Sequence, residues 1–108
     1  ALGGLMFGQI MGQTPPIDAI FFCNDDLAQG ALLAALRRGV KVPDEVAVAG
    51  FNDLTGSDQM VPPLTTVRTP RAEIGQAAAA MLLALMRGET VARPVVDLGF
   101  ALVPRGSG

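Results

Sequence analysis

Side chains that could do chemistry gather at a few places in this chain. Asn24-Asp25-Asp26 breaks an apolar run, Asp18-Ala19-Ile20-Phe21-Phe22-Cys23, and opens a helical stretch over residues 27–36. Asn52-Asp53 closes a second apolar run, Val46-Ala47-Val48-Ala49-Gly50-Phe51. Both runs have the length and composition of strands buried on both faces of a parallel sheet. Two adjacent strands that finish in Asn and Asp imply a shared crevice at their carboxyl ends, where open α/β sheets hold ligands. Asn24 is also a good helix N-cap, and Asp25 and Asp26 put negative charge at the positive end of the helix dipole. Local sequence leaves the capping and binding roles of Asn24 both open.

The carboxylates do not form a hydrolytic or metal-binding set. Asp25 and Asp26 are consecutive at a helix start and diverge by about 100°. Nothing matches the spacing of a metal loop such as the EF-hand, and no Gly-rich phosphate loop is present. The chain has no histidine, which excludes His-dependent triads and His-ligated metals within it. Cys23, the single cysteine, cannot form an internal disulfide and fits a reducing cytoplasm. At the end of an apolar strand with no base to activate it, it reads as a buried structural thiol. The chain is expected not to be an enzyme and to carry no cofactor.

The elements that must position these residues follow in order. ALGGLMFGQIM reads as the end of an amphipathic helix, with Leu2, Leu5, Met6 and Ile10 on one side and Met11 extending it; Pro15-Pro16 stops it. A helix that begins without a cap implies that an upstream portion is missing. It has no basic start or cleavage site of a signal peptide, and no apolar run has membrane-span length. The loop Thr14-Pro15-Pro16 leads into the first strand. Gly39 stops the helix after Asn24, and Pro43 keeps it stopped. Residues 54–61 form a polar loop with room for one helical turn, and Pro62-Pro63 stiffens the approach to a strand, Leu64-Thr65-Thr66-Val67. Thr69 as N-cap and Pro70 at the first helical position start a long helix that Gly88 ends. Residues 94–98 and 100–103 read as strand segments hinged at Gly99. The terminal LVPRGS also spells a thrombin site, so a vector remnant and a natural strand ending both remain open.

At 108 residues the chain is one domain's worth, with half its residues hydrophobic and 17% charged. A net charge of −2 with no basic run makes this segment a poor nucleic-acid surface. Yet the helix over residues 27–36 has only Gln29 as a polar side chain, and residues 74–86 only Gln76. A helix apolar all round is covered on two sides, so each needs a neighbour beyond its own sheet.

Several blocks in order, FFCNDDLAQGALLAALRRG, GVKVPDEVAVAGFNDL and PPLTTVRTPRAEIG, resemble the effector-binding core of LacI/GalR-family transcriptional repressors, and among them a gluconate-repressor-like subgroup. The resemblance implies an α/β fold, a parallel-sheet Rossmann-like lobe of the type I periplasmic-binding-protein-like kind, here incomplete. It implies that residues 1–68 belong mainly to the C-terminal lobe, 69–98 to the companion lobe, and 99–108 to a terminal strand and the LVPRGS ending. The helix-turn-helix DNA-binding domain is absent, so operator DNA is reached only through that absent part. A small sugar or sugar-acid effector would sit between the lobes, contacted by Asn24, Asn52, Thr69 and Arg71, with Arg68 secondary. An asparagine amide offers a donor and an acceptor to a sugar hydroxyl. Asn52 stands where the family usually has a carboxylate; losing that charge and having Arg71 in a helix's first turn favour an acidic ligand such as gluconate. Arg71 also reads as a solvated first-turn residue, and Asn52 as a turn former. The family further implies a homodimer through Gln29, Leu32, Leu33, Leu36 and Met60, and a cytoplasmic regulator with no membrane contact. A periplasmic sugar-binding protein for transport is the alternative.

Overall fold

The computed structural model describes residues 2–13 and 16–108; Thr14 and Pro15, in the expected loop after the first helix, lie outside the described residues. The chain divides into two compact units, Ala1–Arg68 with Ala101–Gly108, and Thr69–Phe100.

In the first unit, α1 (Leu2–Met11) packs on α2 (Asp25–Arg38). The buried residues of α1 are Gly3 and Phe7, whereas Leu2 and Leu5 are exposed, so the expected leucine-bearing side is not the inner one. Glycine decides the orientation. A Cβ on Gly3 would overlap the Leu27 carbonyl, and one on Gly30 would lie 3.3 Å from Gly3 Cα and Gly4 N. The two backbones meet where side chains are missing, and that close approach drives Phe7 fully into the core.

Both ends of α2 form as their residues dictate. Asn24 Oδ1 accepts from the Leu27 N–H at 2.9 Å, and Gly39 takes the left-handed cap conformation, φ 71°. Ala28, Ala31, Leu32 and Ala35 join Phe7, Phe22, Val46, Val48 and Leu64 in one core. Leu32 is 1% exposed within this core, so it presents nothing to a second subunit, contrary to the expected interface set. Leu33 and Leu36 of the same helix are exposed.

Strand β1 (Ala19–Phe21) runs parallel to β2 (Ala47–Ala49), pairing Ala19 with Ala47, Ile20 with Val48 and Phe21 with Ala49. Alternation along the chain puts Phe22 in the core and leaves Phe21 and Cys23 exposed. The apolar run at β1 is therefore covered on one face, and the Cys23 thiol is not buried. β3 (Thr66–Arg68) continues the sheet: Ala49 bridges Thr65 in parallel, and Asn52 N–H donates to Val67 O at 2.8 Å. A single 3-10 turn, Ser57–Gln59, interrupts the polar loop before it.

The chain's last residues are built into this unit. β4 (Ala101–Val103) pairs antiparallel with β3, Thr66 opposite Val103. Ser107 then enters the core, fully buried. Its Oγ donates to Val48 O at 2.6 Å and accepts from Thr65 N–H at 2.8 Å, while its own carbonyl accepts from Val48 N–H at 2.8 Å. The ending of the chain is thus bonded to both β2 and β3.

The second unit holds α3 (Arg71–Met86). Its N-cap is Pro70, with no side-chain cap bond, not Thr69; the Arg71 N–H is met by the Thr69 backbone carbonyl at 2.8 Å. Gly88, φ 77°, follows its end. The strand expected over 94–98 does not form, because residues 89–98 pair with no strand among the described residues. Gly99, φ 77°, does turn the chain before β4. No residue of α3 is buried, and Ile74, Leu82, Leu83, Leu85 and Met86 are exposed.

Candidate functional site

The carboxyl ends of β1 and β2 come together through one backbone bond, from the Asp25 N–H to Phe51 O at 3.1 Å. Asn24 and Asn52 each stand one residue from it, so the first unit brings these two expected site residues side by side. Thr69 and Arg71 lie in the second unit, at the start of α3. Asn24 is a cap, its Oδ1 committed to Leu27, while its Nδ2 donates to Cys23 Sγ at 3.9 Å.

Beneath the pair lies a carboxylate whose place in the sequence suggests helix capping alone. Asp25 is fully buried. Its Oδ2 accepts from Ser57 Oγ at 2.5 Å and from Leu54 N–H at 2.9 Å, and its Oδ1 accepts from Thr66 Oγ1 at 2.7 Å. Gly50 makes the room, since a Cβ there would overlap Asp25 Oδ1. One side chain thus ties the start of α2 to the loop after β2 and to β3. Gln29 extends the tie, donating to Ser57 Oγ at 3.0 Å and Thr55 O at 3.2 Å. Met60, at the end of the same loop, packs against the core.

Asn52 and Asp53 both have positive φ, 98° and 53°. Asn and Asp are the non-glycine residues that tolerate this region best. Asp53 is clamped from two sides: Oδ2 by Arg68 Nε at 2.7 Å and Oδ1 by Arg105 Nη1 at 2.9 Å. Burial alone would raise the Asp53 carboxyl, but the hydrogen bonds and charges of Arg105 and Arg68 outweigh it and hold the pKa below the usual range. A depressed carboxylate adds stability that is present above its unfolded pKa, about 3.9, and is lost as pH falls through the folded value. We expect Asp53→Asn to cost about 2 kcal/mol at pH 7 and progressively less below about pH 4. Urea unfolding across pH 2–7 measures this; a gap that stays constant to pH 2 contradicts the assignment.

The profile of the periplasmic binding protein-like domain matches residues 6–108. The chain belongs to the periplasmic binding protein-like domain family. It is 59% identical over 107 residues to the HTH-type transcriptional regulator GntR of Pseudomonas aeruginosa, covering 99% of this chain and 31% of that protein. The solved transcription regulator GntR from Chromobacterium violaceum superposes with a TM-score of 0.88 at 48% identity, covering 97% of this chain and 39% of that one. The lac repressor dimer bound to operator and the anti-inducer ONPF superposes at 0.83 and 30% identity, covering 97% and 36%. This domain therefore spans about a third of the length of such relatives. The resemblance to LacI-type regulators read from the ND, GFND and PPLTTV blocks holds, as does the parallel α/β fold it implied. These relatives are regulators of transcription, not transport binders and not enzymes. Among the described residues no helix is long and apolar enough to cross a membrane.

Asp25 as a hub, its partners Ser57 and Thr66, and the grip of Arg105 on Asp53 are absent from the expected site. No short-range signal marks them, because these contacts span 32, 41 and 52 positions. The one local cue is the placement of Arg105 inside the LVPRGS ending, where a natural terminal strand would put its arginine within reach of the sheet.

Proposed function

We propose that this chain is the effector-sensing and dimerising segment of a cytoplasmic, DNA-binding transcriptional regulator that answers to a small sugar acid. The observation that supports the reading is the backbone bond between Asp25 and Phe51, which joins the strand ends that carry Asn24 and Asn52, inside a fold shared with regulators of that kind. An asparagine amide carries both a donor and an acceptor for ligand hydroxyls, although the Asn24 oxygen already caps α2, and neither amide repels an anion. The family resemblance, rather than any placement of the second unit, adds Arg71 of α3, with the positive charge that a carboxylate ligand requires, and Thr69, with a hydroxyl. A gluconate-like ligand fits that chemistry better than a neutral sugar.

Catalysis plays no part in this reading. The effector works by its different affinity for two arrangements of the full-length protein. DNA contact is left to a part outside these residues, consistent with the weak negative charge of the segment. The apolar side of α2 that remains open, Leu33 and Leu36, is the surface assigned to a second subunit, and the uncovered α3 to the companion lobe. A thermal-shift screen of the full-length protein against gluconate, ketogluconate and neutral pentoses tests the ligand class, with sedimentation reporting the dimer. Gluconate at 100 times its Kd should add about 2.7 kcal/mol, and Arg71→Ala should remove that gain. Stabilisation by neutral pentoses alone refutes the acidic effector, and a monomer at every concentration refutes the dimer.

A further inference from the structure

Arg105 lies far from Asn52 in sequence, yet it grips the residue next to it. Its Nη1 donates to Asp53 Oδ1 and to Leu64 O, both at 2.9 Å, and its backbone N–H donates to Thr65 Oγ1 at 2.8 Å. The guanidinium is therefore anchored in the β3 approach, with its side chain only 15% exposed. A rigid, planar donor that is itself held can impose a conformation, where an exposed flexible cation would follow its partner. What it holds resists being held. Positive φ outside glycine is a conformation the surroundings must hold, and Asn52 and Asp53 are two such residues in succession. Further ties run from Asn52 N–H to Val67 O, from Leu54 N–H to Asp25 Oδ2 and from Arg68 Nε to Asp53 Oδ2. Of these two arginines on Asp53, the Arg68 side chain is 57% exposed and that of Arg105 is the more enclosed.

We infer that Arg105 is a positioning residue for effector binding: through Asp53 it locks Asn52 in its left-handed conformation and so aims the Asn52 amide. The inference rests on the proposed ligand role of Asn52, but its conformational half does not. In a less constrained chain the loop would relax toward negative φ and the amide would leave the joined strand ends. Arg105 touches no ligand; it acts from behind.

Two measurements on the full-length protein test this, one of them without ligand. Hydrogen exchange should show the Asn52 and Leu54 amides exchanging at least tenfold faster in Arg105→Ala, with interior α2 amides unchanged and partial rescue in Arg105→Lys. Unchanged exchange at Asn52 and Leu54 overturns the inference whatever the ligand is. A double-mutant cycle for gluconate affinity then asks whether the effect passes through Asn52. Arg105→Ala should cost tenfold or more with Asn52 present and under twofold in the Asn52→Ala background. Equal losses in both backgrounds reduce Arg105 to a structural role and overturn the inference. Absence of any gluconate binding, with the exchange effect intact, fails the proposed ligand class and leaves the locking of Asn52 standing.

Discussion

Replacing Asp25 by alanine should lower the free energy of unfolding by about 3–5 kcal/mol, as expected when a buried carboxyl that accepts three hydrogen bonds is removed. Three donors converge on this carboxylate, from Ser57, Leu54 and Thr66, and the substitution abandons them together. The Ser57 and Thr66 hydroxyls can rotate toward other acceptors. The Leu54 backbone N–H cannot, and a donor stranded away from water costs about 1–3 kcal/mol by itself. Asp25→Asn keeps the shape but turns an amide donor toward donors, so it should recover only part of the loss. Against a total of about 5–15 kcal/mol for a typical domain, the alanine variant sits near the edge of folding. Equilibrium urea unfolding is the check. A loss under 1 kcal/mol would mean that the loop after β2 and the start of α2 are held by something else.

Gly3→Ala, a gain of one methyl, should destabilise by about 2–3 kcal/mol, at the upper end of ordinary overpacking. The added carbon meets the Leu27 carbonyl, which belongs to the first turn of α2 and cannot swing aside as a side chain would. Either α1 lifts off α2, withdrawing Phe7 from the core, or the first turn of α2 deforms together with Asn24 and Asp25. Gly75→Ala provides the contrast. A Cβ there meets nothing within 4 Å in the middle of α3, so helix propensity alone acts and stability should rise by about 0.5–1 kcal/mol. Thermal denaturation of the two variants side by side separates the mechanisms. A rise in stability for Gly3→Ala like that of Gly75→Ala would show that α1 and α2 are not in backbone contact.

Local chemistry explains what could be read beforehand. The Asn24 cap and the Gly39 stop depend on residues within four positions of one another, and both stand as expected. The strands at β1 and β2 and the turn before β3 follow from apolar runs and prolines in the same way. Failures begin where a partner is distant. Asp25 looks like a dipole-compensating residue until Ser57 and Thr66 arrive, 32 and 41 positions later. The inner side of α1 is set by Gly30, not by the leucines of α1, and so the larger apolar residues end up outside. Cys23 follows from strand parity: with Phe22 inward, its neighbour must point outward. The cap position falls to Pro70, one residue beyond the expected Thr69, whose backbone carbonyl meets Arg71 N–H. The strand-end places of Asn24 and Asn52 were legible, whereas the arginine clamp on Asp53 was not.

Ser107 satisfies donors and acceptors on Val48 and Thr65 that were synthesised 59 and 42 residues earlier. During translation β1 and β3 can flank β2 before this serine exists, but the Val48 and Thr65 groups it serves stay unmet. Backbone groups left open in this way are places where nascent chains can pair wrongly. The slot between β2 and β3 is therefore completed late, and water must serve those groups until then.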